Sequence, residues 1–196
     1  MTRRLAALAL VLLAGGCATL PAPAPGDGWP ARRAALQALD DWTLDGRIAV
    51  AADDDGFSGG FDWHQQGARA DIALTGPMGG AAMDIRAEGD RAVVSVAGDS
   101  YEGEDAAALF ARYFGPDRRL PIVQMRYWLV GAPAPELPHE ETLGPDQRLA
   151  TLSQSGWQVR YDRYHPVGQL ALPARMELTT PGLRLRVVVS DWQLSP

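Results

Sequence analysis

Few residues in this 196-residue chain could do chemistry. It has one cysteine, Cys17, so neither an intrachain disulfide nor a centre built from several thiolates can form. Three histidines, His64, His139 and His165, leave little material for a histidine-rich metal centre. His64 stands beside Trp63 on the polar face of an alternating segment, His139 falls in a proline-rich stretch, and His165 precedes Pro166; each reads as a surface residue. Asp53-Asp54-Asp55-Gly56 reads as a charged hairpin turn of the Asp-Gly type, not a cation site, and Glu140-Glu141 is similar. There is no G-x-S-x-G elbow, H-E-x-x-H pair, Walker loop or dinucleotide fingerprint, and no nucleophile with a base beside it. No catalytic residue, metal or cofactor is expected.

Cys17 gains its meaning from what precedes it. Arg3 and Arg4 supply positive charge, Leu5 to Leu13 is an unbroken apolar run, and Ala14, Gly15 and Gly16 are small. The run is too short to cross about 30 Å of hydrocarbon, so residues 1–16 read as a signal peptide. The pattern is similar to a lipoprotein signal, in which the cysteine becomes the lipidated N-terminus. The alternative is an ordinary signal peptide with a chance cysteine. Such signals usually carry Leu three residues before the cysteine; here that place is Ala14, with Leu13 one step back. Asp after the cysteine commonly retains bacterial lipoproteins in the inner membrane; Ala18 stands there instead, which points to the outer membrane.

The eighteen basic residues are all Arg and face twenty-four acidic ones, a net −6. Loss of Arg3 and Arg4 with the signal makes the balance more acidic still, against a general nucleic-acid binder. With 46% hydrophobic and 21% charged residues, the chain can bury a core. Residues 17–28 hold Cys17 and a Pro/Ala/Gly tether, and residues 29–196 read as one domain.

Within that domain, Pro30 opens a helical stretch through Leu39. From Trp42 the apolar period becomes two, and five short strands follow up to Val96: one with Trp42, Leu44, Ile48 and Val50 on one face, then segments marked by Trp63, by Ile72 and Leu74, by Met83 and Ile85, and by Val94. Helical spacing returns over 104–115, with Leu109, Phe110 and Tyr113, and from Pro121 to Gly131, with Ile122, Met125, Trp128 and Leu129. Residues 132–147 read as an extended proline-rich connection of unusual length. Strands resume at about 148–153, 157–164, 174–179 and 183–192, with a loop from His165 to Leu172. These elements fit one curved antiparallel sheet whose apolar concave face is covered by helices too few to fill it, so that an apolar cavity is expected between them.

Two features are left over. Six tryptophans suit a β-rich core. Met78 sits at a turn tip between Gly76-Pro77 and Gly79-Gly80, where a flexible apolar side chain either meets an acyl chain or bilayer or folds back over the sheet edge.

Over about residues 29–194 the chain resembles the LolB family of outer-membrane lipoprotein receptors. The resemblance is carried by G-R-I-A-V (46–50), W-H-Q-Q-G (63–67), T-G-P-M-G (75–79), M-R-Y-W-L-V-G (125–131), G-W-Q-V-R-Y (156–161), L-P-A-R-M-E-L (172–178) and L-R-V-V-V-S-D-W (185–192), in order and behind a lipoprotein signal. It implies a mainly β fold, an open antiparallel half-barrel of about eleven strands with helices over the concave face. It also implies a monomeric receptor that accepts acylated lipoproteins from the periplasmic carrier LolA and inserts them into the outer membrane, anchored through Cys17. Where the family's protruding loop carries an exposed Leu needed for release, this chain has Met78. By pattern, Trp63, Ile72, Leu74, Met83, Ile85, Val94, Phe110, Met125, Trp128 and Leu129 are candidates for the acyl cavity or the core wall, two classes that sequence does not separate. Arg126 matches the family, and a helix-face or carbonyl contact explains it as well as a ligand contact. The alternatives from other classes are a structural outer-membrane lipoprotein scaffold with no lipid-transfer role and a periplasmic hydrolase.

Overall fold

The computed structural model describes residues 28–52, 55–77, 79–89, 91–96, 98–103, 108, 111 and 119–195. A helix, α1 (Gly28–Gln37), leads into β1 (Asp41–Ala52), β2 (Asp55–Gln66), β3 (Arg69–Thr75), β4 (Ala81–Glu88), β5 (Arg91–Val96) and β6 (Asp99–Gly103). Next among the described elements come a helix, α2 (Ile122–Val130), and five strands, β7 (His139–Leu143), β8 (Leu149–Gln154), β9 (Trp157–Val167), β10 (Leu170–Thr180) and β11 (Leu183–Leu194). The strands form one antiparallel sheet in the order β6-β5-β4-β3-β2-β1-β11-β10-β9-β8-β7. Two meanders are thus joined at the centre, where the first strand pairs with the last, and β6 and β7 lie at opposite edges of an open sheet.

Strict alternation decides which face is buried. Along β11, Leu183, Leu185, Val187 and Val189 are buried, and Arg184, Arg186 and Val188 between them are exposed. The buried faces of β1–β5 and β8–β11 share a single apolar core with α1 and α2, so the sheet wraps around one interior. The central seam requires a glycine. The register of β1 against β11 shifts at Asp45/Gly46, which leaves Ser190 as the extra residue. A Cβ on Gly46 would overlap the carbonyl oxygen of Val188 and stand 3.1 Å from Val189 Cα.

Helix α2 is tied to both halves of the sheet. On one side, Arg126 Nη1 donates to the Gly67 carbonyl in the β2–β3 turn at 2.5 Å, the carbonyl contact that its helix position allowed. On the other, Trp128 Nε1 donates to Gln154 Oε1 of β8 at 2.8 Å, and Tyr161 of β9 donates through its hydroxyl to Trp128 O at 2.9 Å. The helix ends in a Schellman pair, Gly131 N to Trp128 O and Ala132 N to Tyr127 O, with Gly131 at φ 87°. Gly131 lies close to Pro173 of β10, whose ring a Cβ there would meet at 3.1 Å. Gln154 holds the segment beyond α2 as well, accepting from Ala134 N at 2.8 Å and donating to Ala134 O at 2.9 Å. Helix α1 is strapped to the β7–β8 hairpin by Trp29 Nε1 donating to Glu141 Oε1 at 2.6 Å and by Arg32 donating to the carbonyls of Asp146 and Gln147.

The structure corrects several boundaries. The 132–147 connection contains an edge strand, β7, and His139 lies in it half-buried, with Nε2 3.6 Å from Glu141 Oε2. A sixth strand, β6, follows the expected five. The supposed loop from His165 to Leu172 is a tight hairpin: His165 pairs with Leu172 and Pro166 with Ala171. Proline is tolerated in both strands: β9 and β10 lose register beside Pro173, and its carbonyl is taken by Trp192 Nε1 at 3.0 Å. Ala52 pairs with Asp55, so Asp55 and Gly56 belong to β2, and Asp53 and Asp54 lie outside the described residues. Of the expected 104–115 helix only Ala108 and Ala111 are described, both helical.

The convex face is charged. Its rows are largely ion-paired, as in Arg69 to Asp71 at 2.9 Å and Arg186 to Glu177 at 3.0 Å. One row runs the other way: Asp45 lies opposite Asp62 on β2 and opposite Asp191 on β11. Partial burial, then the hydrogen bond and charge of Asp45, raise the Asp62 pKa above the usual carboxylate range.

Gln154→Leu leaves the Trp128 indole and both polar groups of Ala134 unpaired in the interior, at a cost of about 3 kcal/mol in urea unfolding. Gln65 of β2 accepts from Trp63 Nε1 and donates to Gly67 O, and Gln65→Leu is milder, about 1–2 kcal/mol, because Gly67 O keeps its bond from Arg126. For Asp62 the folded state binds the proton more tightly than the unfolded chain. Its contribution therefore falls as pH rises from the ordinary carboxylate value through the raised one, and the repulsion is complete at neutral pH. Asp62→Asn should stabilise the protein at pH 7 by about 0.5 kcal/mol, and the gain should vanish near pH 3 in thermal melts.

Candidate functional site

The inner face of the sheet is an almost unbroken hydrocarbon wall. Of the expected wall residues, Trp63 (1% exposed), Ile72, Leu74, Met83, Ile85 and Val94 are buried in the core from β2–β5, and Met125, Trp128 and Leu129 are buried from α2. Phe110 lies outside the described residues. The cross-strand register explains the grouping: Trp63 faces Ile72, Ile72 faces Ile85, and Ile85 faces Val94, one apolar row across four strands. Aromatic rings anchor both halves. Trp42 stacks on Trp63 at 6.0 Å and meets Trp192 edge-on at 5.4 Å, while Trp128 leans against Trp157 at 6.2 Å.

No charged side chain among the described residues is fully buried on this face; the buried polar residues are two glutamines. Each serves an indole. Gln65 accepts from Trp63 Nε1 at 2.9 Å and donates to Gly67 O at 2.8 Å, as Gln154 serves Trp128. Two inward tyrosines reinforce the pattern. Burial pushes the Tyr161 and Tyr164 hydroxyls far up, so both stay protonated donors, to Trp128 O and to Leu149 O. Trp42 Nε1 is buried with no hydrogen-bond partner among the described residues.

The sequence reading missed the glutamines. The signal was available: Gln65 shares inward parity with Phe61 and Trp63, and Gln154 with Leu152. The W-H-Q-Q-G segment is therefore a built unit of indole, amide and turn carbonyl. His64 of that segment points the other way, half-buried on the convex face, where Thr43 and Asp71 are its register partners.

At the far end of β3 the chain leaves the sheet in a short loop. Gly76 N donates to Gly80 O at 2.8 Å and Gly79 N to Gly76 O at 2.9 Å, with Gly79 at φ 82°, a conformation that favours glycine. Pro77, Gly79 and Gly80 are exposed. Met78 and Cys17 lie outside the described residues. No group of three or more His, Cys, Asp or Glu side chains that could hold a metal ion occurs among the described residues. Among the described residues the inner face is hydrocarbon, with neutral amides pairing two of its indoles.

Comparison with known proteins agrees with that chemistry. The model of the family described as "Outer membrane lipoprotein LolB" matches residues 40–192. The outer-membrane lipoprotein LolB of Pseudomonas paraeruginosa is 36% identical, over 96% of this chain and 94% of that protein. LolB of Nitrosococcus oceani is also 36% identical, over 95% of this chain and 94% of that protein. Among solved structures, a LolA-superfamily protein from Nitrosomonas europaea superposes with a TM-score of 0.51 at 14% identity, covering 81% of this chain and 88% of that one. A DUF1329-family protein from Desulfovibrio piger superposes with a TM-score of 0.55 at 7% identity, covering 84% and 89%. These two likenesses describe the shared fold. With the family model spanning the sheet from just before β1 to Trp192 and full-length relatives above one third identity, the chain belongs to the LolB family of outer-membrane lipoproteins.

Proposed function

We propose that this protein is the receptor that takes acylated lipoproteins from the periplasmic carrier LolA, shelters their acyl chains against its concave face and passes them into the outer membrane. The observation that carries this reading is the inner wall: apolar from β1 to β5 and from β8 to β11, free of buried charge among the described residues, in an open sheet of a LolB-family chain. Each methylene kept from water is worth roughly 0.8 kcal/mol, so a chain of about fifteen methylenes forfeits on the order of 12 kcal/mol if it crosses an aqueous space unsheltered. A concave apolar host removes that barrier. Transfer between two such hosts, and then into a bilayer, runs downhill if each acceptor holds the chains better than the donor, with no bond broken and no nucleotide consumed.

In this reading residues 1–16 are removed, Cys17 carries the lipid, and residues 18–28 tether the domain to the periplasmic face of the outer membrane. Met78, between Pro77 and Gly79 in the sequence, is the apolar contact that enters the bilayer at release. The test is transfer. The carrier LolA, loaded with a labelled triacylated lipoprotein, is mixed with liposomes bearing this protein, and the label is followed first onto the receptor and then into lipid. Movement along that route is the expected result; label that stays on a competent carrier removes the assignment. Met78→Glu is expected to accept cargo within about twofold of the parent and to deliver it about tenfold to a hundredfold more slowly, the penalty for placing a carboxylate in hydrocarbon. Met78→Leu should deliver normally. Normal delivery by Met78→Glu would remove the loop from the mechanism.

A further inference from the structure

The loop that carries Met78 does not leave the sheet freely; it is seated on two glycines of the neighbouring strand. Pairing between β2 and β3 ends at Gly60 and Thr75, although β2 continues back to Asp55. At that point the last peptide of β3 has swung off the pleat. Gly59 shares the inward face with Phe61, and the carbonyl oxygen of Thr75 occupies the place where a Gly59 Cβ would stand. The Thr75 carbonyl carbon would be 3.0 Å from that Cβ, and the ring of Phe57 2.8 Å. On the opposite face, a Gly60 Cβ would overlap Thr75 Oγ1. The other strand of the loop is adjusted at the same level, since the β3–β4 register shifts between Leu74 and Thr75. Both glycines have ordinary strand conformations, so their absent side chains, and not their backbone freedom, are what the geometry uses.

We propose that Gly59 is a positioning residue for delivery: by admitting the Thr75 peptide over the inner face of β2, it sets the direction in which the 76–80 loop leaves the sheet. Gly60 is a weaker partner, because the atom it admits is a side-chain end that can rotate. This inference rests on the reading of the loop as the release element. An added methyl at Gly59 meets backbone on one side and the Phe57 ring on the other; the backbone has to move, and the loop moves with it.

The test combines geometry with transport in the full lipid-anchored protein. Spin labels introduced by Gly80→Cys and Gln158→Cys report the direction of the loop as a distance across the sheet; Cys17 carries its lipid in this protein and does not react. With Gly59→Ala, the distance distribution should shift, acceptance from the loaded carrier should stay within about twofold, and delivery to liposomes should fall about tenfold as the seated loop becomes a minor conformer. Thr75→Ala should not rescue Gly59→Ala, whose obstruction is a carbonyl oxygen. The same change should rescue the smaller loss in Gly60→Ala, whose obstruction is Oγ1. An unshifted distance overturns the proposal, as does parallel loss of acceptance and delivery, which is the mark of general destabilisation. If Gly59→Ala does not fold, the Gly60→Ala and Thr75→Ala pair decides: a delivery defect relieved by Thr75→Ala supports the seat, and none overturns it. A shifted distance with normal delivery overturns the proposal when Met78→Glu is defective. When Met78→Glu also delivers normally, the loop reading has failed and the functional part of this inference falls with it.

Discussion

One helix has to answer to both halves of an open sheet. The two edge strands, β6 and β7, lie ten strand positions apart, yet they are joined by residues 104–138, so this connection must pass from one edge to the other. An eleven-stranded sheet with one apolar face cannot leave that face to water, and the chain that crosses it supplies cover. Helix α2 is the fixed point of that crossing. It is held at the first meander by Arg126 on the Gly67 carbonyl and at the second by Trp128 on Gln154 and by Tyr161 on the Trp128 carbonyl. Without those ties the sheet would be two meanders joined by the single β1–β11 seam.

The polar atoms inside were chosen for their partners. An indole gives a wall breadth and stiffness, but it brings an N–H that is costly to bury unpaired. Gln65 and Gln154 meet that need without charge, and each passes its second hydrogen bond to the backbone, where it fixes a turn or a loop. A charged partner would have been stronger, but it would have placed a desolvated ion in an apolar interior. The hydrophobic effect is non-directional, so a wall of this composition does not distinguish one acyl chain from another. That is the property required of a receptor for cargo that shares its lipid and little else.

How much of this was legible follows from the same physics. The interior strands announced themselves because burial of one face forces alternation, as in Trp63, Ile72, Met83, Ile85 and Val94. The two strands that escaped, β6 (DSYEG) and β7 (HEETL), are the edges. Edge strands have less face to bury and are kept polar against unwanted pairing, so they lack the pattern by which strands are recognised. Pro166 and Pro173 misled in a related way. Proline is a sound reason to doubt a central strand, and only the lost register beside Pro173 removes the objection. In the candidate site, the apolar wall could be read as a class but its members could not be divided between core and lining, because both demand the same side chains. Family motifs marked Gly46, Gly67 and Gly131 without reasons. The structure supplies them as a seam, a turn carbonyl and a helix end.

In the proposed reading, host and release element are kept apart in the fold. The wall is secured by deep contacts around α2, whereas the 76–80 loop starts where β3 ends and β2 runs on, and closes on itself through Gly76, Gly79 and Gly80. The backbone hydrogen bonds of its described residues stay within the loop. That separation has a cost in definition: a loop of glycines closed by two backbone bonds would by itself take many directions. The direction must come from its base. The base meets β2 at the two consecutive glycines, where any side chain would compete with Thr75 for the same space. On that reading, holding cargo and releasing it depend on different physical terms, buried area for the first and backbone clearance for the second, and a protein that must do both in sequence gains from keeping them separable.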